Sequence, residues 1–287
     1  MLRWNALGTN DKIRVARLLY RGVATVRQAF RRPMVVRAMR RGVAYELDLA
    51  EGIDLAMYLF GAFEPDTYRA LRRLVRPGQT VIDIGANSGV HSLPMASLVG
   101  ERGRVISFEP TRSAYDRLRR NLALNPNLSG RITAVQAYLR DGLDAREVPS
   151  FYSSWRLDRS EAQHPKHFGS LADAGGAVST TLDAYLEDAG VDRVDVMKID
   201  VDGYEAKVLR GARRTLERNR PTLIVEVCPY TLEEQGDSAE TLLGILLQHR
   251  YAFFDERTGR RLPDDPEPIK ASIARDSSIN VVAMARP

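Results

Sequence analysis

Seven short apolar runs recur between residues 80 and 285, and stretches with helical periodicity separate most of them. Strands that alternate with helices form a parallel sheet covered on both faces. We therefore predict strands at Thr80–Gly85, Arg104–Glu109, Ile132–Tyr138, Val194–Asp200, Thr222–Cys228, Tyr251–Asp255 and Ile279–Ala285. Helices are expected near Gly89–Val99, Ser113–Leu124, Leu182–Ala189, Glu205–Asn219 and Ser238–His249.

The last two predicted strands differ from the others because no helix lies between them. A connection rich in Gly and Pro, which includes Thr258-Gly259 and Pro263 to Pro268, joins them. Strands joined without a crossover helix pair antiparallel. The predicted fold is thus an α/β fold with a seven-stranded, mostly parallel sheet that ends in an antiparallel hairpin.

The first 42 residues form a basic segment with eleven Lys or Arg and one Asp. Apolar side chains recur there at helical spacing. They predict an amphipathic helix, and its apolar stripe comprises Ile13, Ala16, Tyr20, Val23, Val26 and Phe30. Alternation from Val43 to Leu49 predicts a half-buried strand, and a further helix is expected near Asp66–Val75. We divide the chain into a basic helical arm, residues 1–42, and an α/β domain, residues 43–287.

Residues 141–179 interrupt the alternation, because no convincing helix or strand is predicted in them. Loops of this length in a compact domain are often functional. The segment lies between the third and fourth strands, and open α/β folds bind ligands beyond the carboxyl ends of their strands. We expect it to contribute to a substrate pocket.

The first predicted strand runs into a loop with two glycines, Gly85 and Gly89. Glycines allow a sharp turn and a close approach to a ligand, and the helix that follows offers free N–H groups. Val90-His91-Ser92 follows Gly89 where a Walker loop has Gly-Lys-Ser/Thr, and the third glycine of a dinucleotide loop is missing. The spacing fits neither phosphate-binding loop.

Asp83 lies two residues before this loop. A carboxylate there repels a pyrophosphate but suits a ligand with ammonium and sulfonium charges, such as S-adenosylmethionine. The alternative is a structural carboxylate that hydrogen-bonds the loop. Glu109-Pro110 ends the second strand, where nucleotide-binding α/β folds place an acid for the ribose hydroxyls. Gln136 and Ala137, at the end of the third strand, could frame an adenine or simply end the sheet.

The sequence resembles the FkbM family of S-adenosylmethionine-dependent methyltransferases. The resemblance covers about residues 45–287 and rests on Phe63-Glu-Pro65, Val81 to Gly89, Val105 to Pro110, Asn121 to Asn125, Thr180 to Asp183, Lys198 to Glu205 and Gly211-Ala212. It implies the class I, Rossmann-like methyltransferase fold and makes residues 43–287 the catalytic domain. The family usually has Glu where this chain has Asp202, which puts a role for that side chain in doubt.

The predicted cofactor-binding residues come from the strand ends and the glycine loop. They are Asp83, Gly85, Ala86, Asn87, Gly89, His91, Glu109, Pro110, Gln136, Ala137 and Asp200. The fourth strand carries Lys198 and Asp200, and the fifth carries Glu226; these three are the predicted catalytic residues. Asp202 and Glu205 are further candidates, with helix capping as their alternative.

A divalent cation such as Mg²⁺ is a second hypothesis for the site. Asp200 and Glu226 both end central strands and could share it, which would lower the pKa of an acceptor hydroxyl. His164 and His167, in the long loop, are candidate ligands or bases, with a surface position as the alternative.

The resemblance implies methylation of a hydroxyl on a small natural product or a sugar. A nucleic-acid methyltransferase is the alternative raised by the basic arm, but no Asn/Asp-Pro-Pro-aromatic tetrapeptide follows the fourth strand. A third reading is a non-catalytic binding protein whose arm docks on a membrane or a partner. The apolar stripe of the arm could also pack on its own domain or in a homo-oligomer. The single cysteine, Cys228, and the lack of a signal or spanning segment predict a cytoplasmic protein.

Overall fold

The computed structural model describes residues 9–143, 151–153, 156–158 and 170–287. The N-terminal part contains α1 (Thr9–Ala29), β1 (Val35–Arg40), β2 (Val43–Asp48), α2 (Gly52–Phe60) and α3 (Pro65–Leu74). The first half of the α/β domain continues with β3 (Thr80–Ile84), α4 (Ser92–Val99), β4 (Arg104–Phe108), α5 (Arg112–Ala123), α6 (Pro126–Ser129), β5 (Ile132–Val135) and β6 (Ala137–Leu139).

The second half completes the sheet. Its elements are β7 (Phe151–Ser153), β8 (Ser170–Ala172), β9 (Val178–Thr180), α7 (Leu182–Asp188), β10 (Val196–Ile199), α8 (Glu205–Arg210), α9 (Arg213–Arg218), β11 (Thr222–Val227), α10 (Pro229–Glu234), α11 (Ala239–Gln248), β12 (Tyr251–Asp255), α12 (Pro266–Ala271) and β13 (Ile279–Ala285).

Seven strands form the central sheet in the order β12-β13-β11-β10-β3-β4-β5. The pairs among β11, β10, β3, β4 and β5 are parallel, whereas β13 is antiparallel to both β11 and β12. The predicted seven strands and C-terminal hairpin are thus confirmed. The order reverses beside β3, so the ends of β3 and β10 border a crevice at the switch point.

Each face of the sheet carries its own hydrophobic core, because side chains alternate along every strand. On β3, Ile82 and Ile84 pack into a core that includes Leu182 of α7 and Leu209 of α8. Val81, one position away, faces the other core with residues of β2, α2, α3 and α4. Both faces are therefore covered, as the continuous apolar runs predict.

The N-terminal hairpin is a feature that the sequence reading only half identified. The predicted strand from Val43 is confirmed as β2, but β1 pairs with it antiparallel along its whole length. Val43, Tyr45 and Leu47 are buried, whereas β1 is exposed or half-buried at every position. Weak burial explains why β1 left no clear apolar pattern. The proposed boundary between arm and domain, after residue 42, falls in the turn of this hairpin.

Two predicted elements are interrupted. The predicted strand Ile132–Tyr138 ends at Val135, and after Gln136 the chain continues as β6, which pairs with β9 outside the central sheet. The predicted helix Glu205–Asn219 divides into α8 and α9. At the break, a Cβ on Gly211 would lie 2.0 Å from the carbonyl oxygen of Arg140. The close approach of two backbones, which has no local signature, causes the second break.

The predicted helix from Gly89 starts later, at Ser92. Gly89 has a φ of +87°, which a right-handed helix does not allow. Short elements such as α2 and α10 were not predicted. The segment from residue 141 to 179 does contain strands, since β7 and β8 form a hairpin. His164 and His167 lie outside the described residues.

Asn121 joins the N-terminal hairpin to the glycine loop. Its Oδ1 accepts a hydrogen bond of 2.8 Å from the backbone N–H of Glu46, and its Nδ2 donates one of 2.8 Å to the carbonyl of Ser88. The side chain is fully buried. Its removal would leave two backbone groups without these partners.

We expect Asn121→Ala to lower the free energy of unfolding by about 2–4 kcal/mol, because buried polar groups without partners are costly. Urea unfolding followed by circular dichroism measures the loss. The exposed Asn127 supplies the control variant, Asn127→Ala, which should unfold like the wild type. Equal stability of the two variants would contradict the joining role of Asn121.

Candidate cofactor and acceptor site

A cavity opens at the carboxyl ends of the central strands. Segments that follow β3, β4, β5 and β10 line it, together with residues from α2 and the loop before α3. Its walls are Ile53, Phe63, Glu64, Ile84, Gly85, Ala86, Asn87, Val90, His91, Phe108, Glu109, Pro110, Thr111, Ala137, Tyr138, Leu139, Lys198, Asp200, Val201, Asp202, Tyr204, Val208 and Glu226. All three predicted catalytic residues lie here. So do eight of the eleven predicted cofactor-binding residues, while Asp83, Gly89 and Gln136 do not.

The loop after β3 lies directly against the end of β10. Gly85 has a φ of +82°, and a Cβ at this position would lie 1.8 Å from the carbonyl oxygen of Asp200. Only glycine permits this contact. The backbone N–H groups of Gly85 and Ala86 both donate to the carbonyl of Phe108, which joins the loop to β4 as well.

Glu109 connects the loops that follow β3 and β4. Its Oε2 accepts a hydrogen bond of 2.9 Å from the N–H of Asn87, and its Oε1 accepts bonds of 3.0 and 2.6 Å from the N–H and hydroxyl of Thr111. The side chain is 4% exposed, and burial raises its pKa above the ordinary value. The carboxylate is thus fixed in direction on the wall of the cavity.

Asp83 lies behind the cavity wall. It is fully buried, and its Oδ2 accepts a hydrogen bond of 2.5 Å from the hydroxyl of Ser92 at the start of α4. Its neighbour Ile84 lines the cavity, and alternation along β3 turns Asp83 toward α4. This geometry agrees with the structural alternative for Asp83, and its contact with a ligand stays a prediction.

Gly89 and Gln136 also serve the framework. A Cβ on Gly89 would lie 2.7 Å from a methyl group of Leu118, so this glycine allows close packing between the loop and α5. The amide of Gln136 donates to the carbonyls of Pro110 and Gly175, at 3.4 and 3.2 Å. Both residues therefore support the cavity from outside its lining.

Lys198 is a buried ammonium between two carboxylates. Its Nζ lies 3.0 Å from Oδ2 of Asp200 and 3.8 Å from Oδ1 of Asp83, and its side chain is 3% exposed. Burial alone would lower the pKa of Lys198, but the negative charges of Asp200, Asp83 and Glu64 outweigh it and raise that pKa. Lys198 therefore stays protonated, so it can act as a cation but not as a base that takes up a proton.

Asp200 and Glu226 form a carboxyl pair at the cavity. Burial opposes the ionisation of Asp200, yet the ammonium of Lys198 holds its pKa below the ordinary value. Burial and the charge of Asp200 raise the pKa of Glu226 well above its own ordinary value, and the two carboxyls are hydrogen-bonded. Two adjacent acids in such a setting ionise unequally. Asp200 is the ionised member, and its side chain is 29% exposed.

The other two acidic candidates differ in position. Glu205 is fully buried outside the cavity, and its Oε1 accepts hydrogen bonds from the N–H groups of Val201 and Gly203, at 2.9 and 3.3 Å. It thus holds the loop before α8, in agreement with its structural alternative. Asp202 lines the cavity with a φ of +50°.

Several lining residues were missed by the sequence reading, and Glu64 is the most informative of them. Its Oε2 lies 3.3 Å from Nε2 of His91, and its own φ is +45°. Asn87 and Asp202 share this left-handed conformation, which is unusual for residues other than glycine and concentrates at functional sites. The sequence contained one signal for Glu64, the segment Phe63-Glu-Pro65, to which no role was given.

Aromatic rings form another part of the wall that was not predicted. Tyr138 and Tyr204 pack edge to face, with ring centroids 5.5 Å apart and an interplanar angle of 88°. Both line the cavity beside Val201.

Within the described ranges, no three His, Cys, Asp or Glu side chains are grouped as a metal site.

The sheet order, the glycine loop at the switch point and a buried acid at the end of β4 together define a class I, S-adenosylmethionine-dependent methyltransferase. The chain belongs to the FkbM methyltransferase family, because the family model of the methyltransferase FkbM domain matches residues 83–253. The resemblance found in the sequence is thereby confirmed.

The chain is similar to several curated proteins, among them three methyltransferases. Methyltransferase sdnD of Sordaria araneosa is 30% identical over 54% of this chain and 67% of its own length. Hexuronic acid methyltransferase AglP of Haloferax volcanii is 26% identical, with 66% and 72% covered. The 2-O-methyltransferase NoeI of Sinorhizobium fredii is 27% identical over 51% of this chain and 63% of its own.

Glu205 gives the fold a measurable pH dependence. Burial raises its pKa from 4.5 to about 7. Between these values the folded chain keeps a proton that the unfolded chain releases, so stability falls as the pH rises. Glu205→Gln should therefore be more stable than the wild type at pH 8, by about 3 kcal/mol at most, and similar to it at pH 4.

Urea unfolding of both proteins at pH 4, 6 and 8 tests this expectation. Glu101→Gln is the control at an exposed position and should follow the wild type throughout. A constant stability difference between Glu205→Gln and the wild type at all three pH values would contradict it.

Proposed function

We propose that the cavity binds S-adenosylmethionine and that the enzyme methylates a hydroxyl group of a small natural product or a sugar. The observation that carries the proposal is the ionised, partly exposed carboxylate of Asp200, which Lys198 holds at the cavity next to the glycine loop. A hydroxyl acceptor requires a group that takes up its proton, and a positioned carboxylate meets this need.

The donor set on one side of the cavity fits the cofactor. The carboxylate of Glu109 has a fixed direction, and Asn87 and Thr111 occupy three of its roughly four acceptor positions, which leaves one on Oε2 for a ribose hydroxyl. Gly85, Ala86 and Asn87 bring backbone close to the ligand, and Phe108 and Ala137 offer apolar surface for an adenine. The remaining predicted contacts, His91 and Pro110, lie on the same wall.

The other side of the cavity suits the acceptor. When bound, the cofactor supplies a methyl group that its sulfonium has already activated. The protein must then align the acceptor oxygen with that methyl group, and alignment alone contributes several kcal/mol. Asp200 takes up the hydroxyl proton, Lys198 keeps it ionised, and the hydrogen bond from Glu226 fixes its direction. Tyr138 and Tyr204 provide flat surfaces on which a ring-shaped acceptor can stack.

The charge of the cavity favours a neutral hydroxyl over nucleic acid. Among the described residues, Lys198 is the one Lys or Arg in its lining. Five acids line the cavity: Glu64, Glu109, Asp200, Asp202 and Glu226. With a single ammonium and no guanidinium group, this lining offers little positive charge to bind the phosphate groups of a nucleic acid. The name of NoeI, which specifies a 2-O position, supports an oxygen acceptor, and the name of AglP, a hexuronic acid methyltransferase, supports a sugar-derived acceptor.

The segment 141–179 is proposed as part of the acceptor side. Its described residues Arg156 and Leu157 join the segment before α2: Arg156 bridges to Glu51, and the N–H of Leu157 donates to the carbonyl of Ala50. Ile53, two residues after Glu51, lines the cavity. The segment is therefore anchored beside the pocket.

Removal of the Glu109 carboxylate should weaken cofactor binding. Calorimetric titration with S-adenosylhomocysteine should show at least a tenfold higher Kd for Glu109→Ala, because hydrogen bonds to a charged group are strong. Glu101→Ala is the surface control. We expect Asp83→Ala to affect cofactor binding only by destabilising the fold. The melting temperature of this variant must therefore be measured alongside its Kd. Unchanged affinity of a folded Glu109→Ala protein would place the ribose elsewhere.

Asp200→Asn separates catalysis from cofactor binding. We expect kcat to fall by about 10²–10⁴-fold, the usual contribution of a general base, with a Kd for S-adenosylhomocysteine within about threefold of the wild type. The assay transfers a radiolabelled methyl group to a panel of sugar and natural-product hydroxyls. A proportionate loss of cofactor affinity would assign Asp200 to the cofactor instead.

The same assay decides the cation hypothesis. A chelator should leave activity unchanged if Asp200 and Glu226 act as a hydrogen-bonded pair. Loss of activity that added Mg²⁺ restores would instead show that the two carboxylates share a cation.

No turnover of any hydroxyl acceptor despite cofactor binding would count against O-methylation.

A further inference from the structure

Helix α1 has two apolar faces, and only one of them packs on the domain. Ile13 is 2% exposed, and Ala16, Tyr20 and Val23 pack against the core that includes β2 and α2. These four residues are the first part of the stripe that the sequence indicated. These four residues therefore join the helix to its own domain, as one of the alternatives held, whereas the last two residues of the predicted stripe, Val26 and Phe30, are exposed.

The second face points away from the protein. Leu18, Val26 and Phe30 are 66%, 58% and 71% exposed, and Leu19 beside them is 37% exposed. Leu18 and Val26, eight residues apart, lie on one side of α1, and Phe30 directly follows the last helical residue, with its N–H still bonded to the carbonyl of Val26. The exposed stripe is about 18 Å long.

Positive charges flank the exposed stripe. Arg14 and Arg21 lie one turn before and one turn after Arg17 on the neighbouring strip of the helix, and Arg14 is 81% exposed. Arg31 and Arg32, also exposed, follow directly after Phe30. Asp11 is the one acidic residue between positions 1 and 42.

An outward apolar stripe flanked by arginines has the composition of a helix that lies in the plane of a membrane surface. A second copy of the chain fits less well, because a stable dimer buries about 800 Å² on each partner and this stripe is narrow. Two copies facing each other would also bring their arginines together. None of the described helices is long and apolar enough to cross a bilayer.

We propose that the outer face of α1, defined by Leu18, Leu19, Val26 and Phe30 with its flanking arginines, docks on an anionic phospholipid surface. The apolar side chains enter the boundary between headgroups and acyl chains, and the guanidinium groups contact the lipid phosphates. The inner face keeps α1 attached to the domain during this contact. Docking thus needs no unfolding of the helix.

Co-sedimentation of the full chain with vesicles tests the proposal. The wild type should bind vesicles of three parts phosphatidylcholine to one part phosphatidylserine, and it should bind phosphatidylcholine alone at least tenfold more weakly. The double variant V26S/F30S should lose at least tenfold in affinity for the anionic vesicles, and so should R14Q/R21Q. High salt should weaken binding of the wild type.

Leu143→Ser is the matched control, since Leu143 is 69% exposed and lies outside α1. It should bind vesicles like the wild type, and all variants should keep the wild-type melting temperature. Failure of the wild type to prefer anionic vesicles, or undiminished binding by V26S/F30S, would overturn the proposal. Light scattering adds a further check: a wild-type dimer that V26S/F30S converts to a monomer would assign the stripe to a second copy.

Discussion

The buried ammonium of Lys198 is the interaction on which the site depends. The register of the sheet places Lys198 directly beside Asp83 of the neighbouring strand, and Asp200 follows two residues later on the same side. The ammonium of Lys198 and the carboxylate of Asp83 are thus buried at the junction of β3 and β10, and the carboxylate of Asp200 faces the cavity beside them. Loss of the ammonium would leave the buried carboxylate of Asp83 without a compensating charge, which is far more costly than loss of a surface ion pair.

This arrangement explains how one strand end serves both structure and chemistry. Asp83 accepts a hydrogen bond from Ser92 and lies 3.8 Å from the ammonium of Lys198, so it fixes β3 against α4 and β10, although its Oδ1 has no hydrogen-bond partner among the described residues. Asp200 uses the same ammonium but faces the cavity, where it stays ionised at low proton affinity. A weak base is sufficient here, because a sulfonium-bound methyl group is already reactive and the main requirement is alignment.

The sequence predicts the sheet well, because each strand is a continuous apolar run and its burial on two faces leaves little freedom. It predicts β1 and β6 poorly. β1 is exposed or half-buried. After Gln136 the chain leaves the central sheet and pairs with β9 as β6, and no local sequence pattern indicates this change. The glycine loop and the strand-end acids were found in sequence because turns and strand ends have local signatures.

The direction in which a side chain points is harder to predict from the sequence, and Asp83 is an example. An acid two residues before the loop could face either the ligand or α4, and alternation relative to Ile84 fixes the answer only when the position of the cavity is known. Glu64 was not predicted as a site residue, for a related reason. Its left-handed backbone and its contact with His91 depend on a loop between α2 and α3 that is distant in sequence from the glycine loop.

Strain at the cavity is balanced by contacts from outside it. A left-handed non-glycine residue costs about 1–3 kcal/mol, yet Asn87 is held by the carboxylate of Glu109 and by Arg117, whose guanidinium lies 3.2 Å from its Oδ1. Arg117 in turn pairs with Glu51 at 3.1 Å, and the same oxygen of Glu51 lies 3.5 Å from Arg156. One carboxylate oxygen therefore serves an arginine that orders the glycine loop and another that anchors the long segment between the third and fourth strands of the sheet. Because Glu51 and Arg117 are about one-tenth exposed, solvent screens their pairing little, and the two walls of the cavity are fixed by a common buried charge.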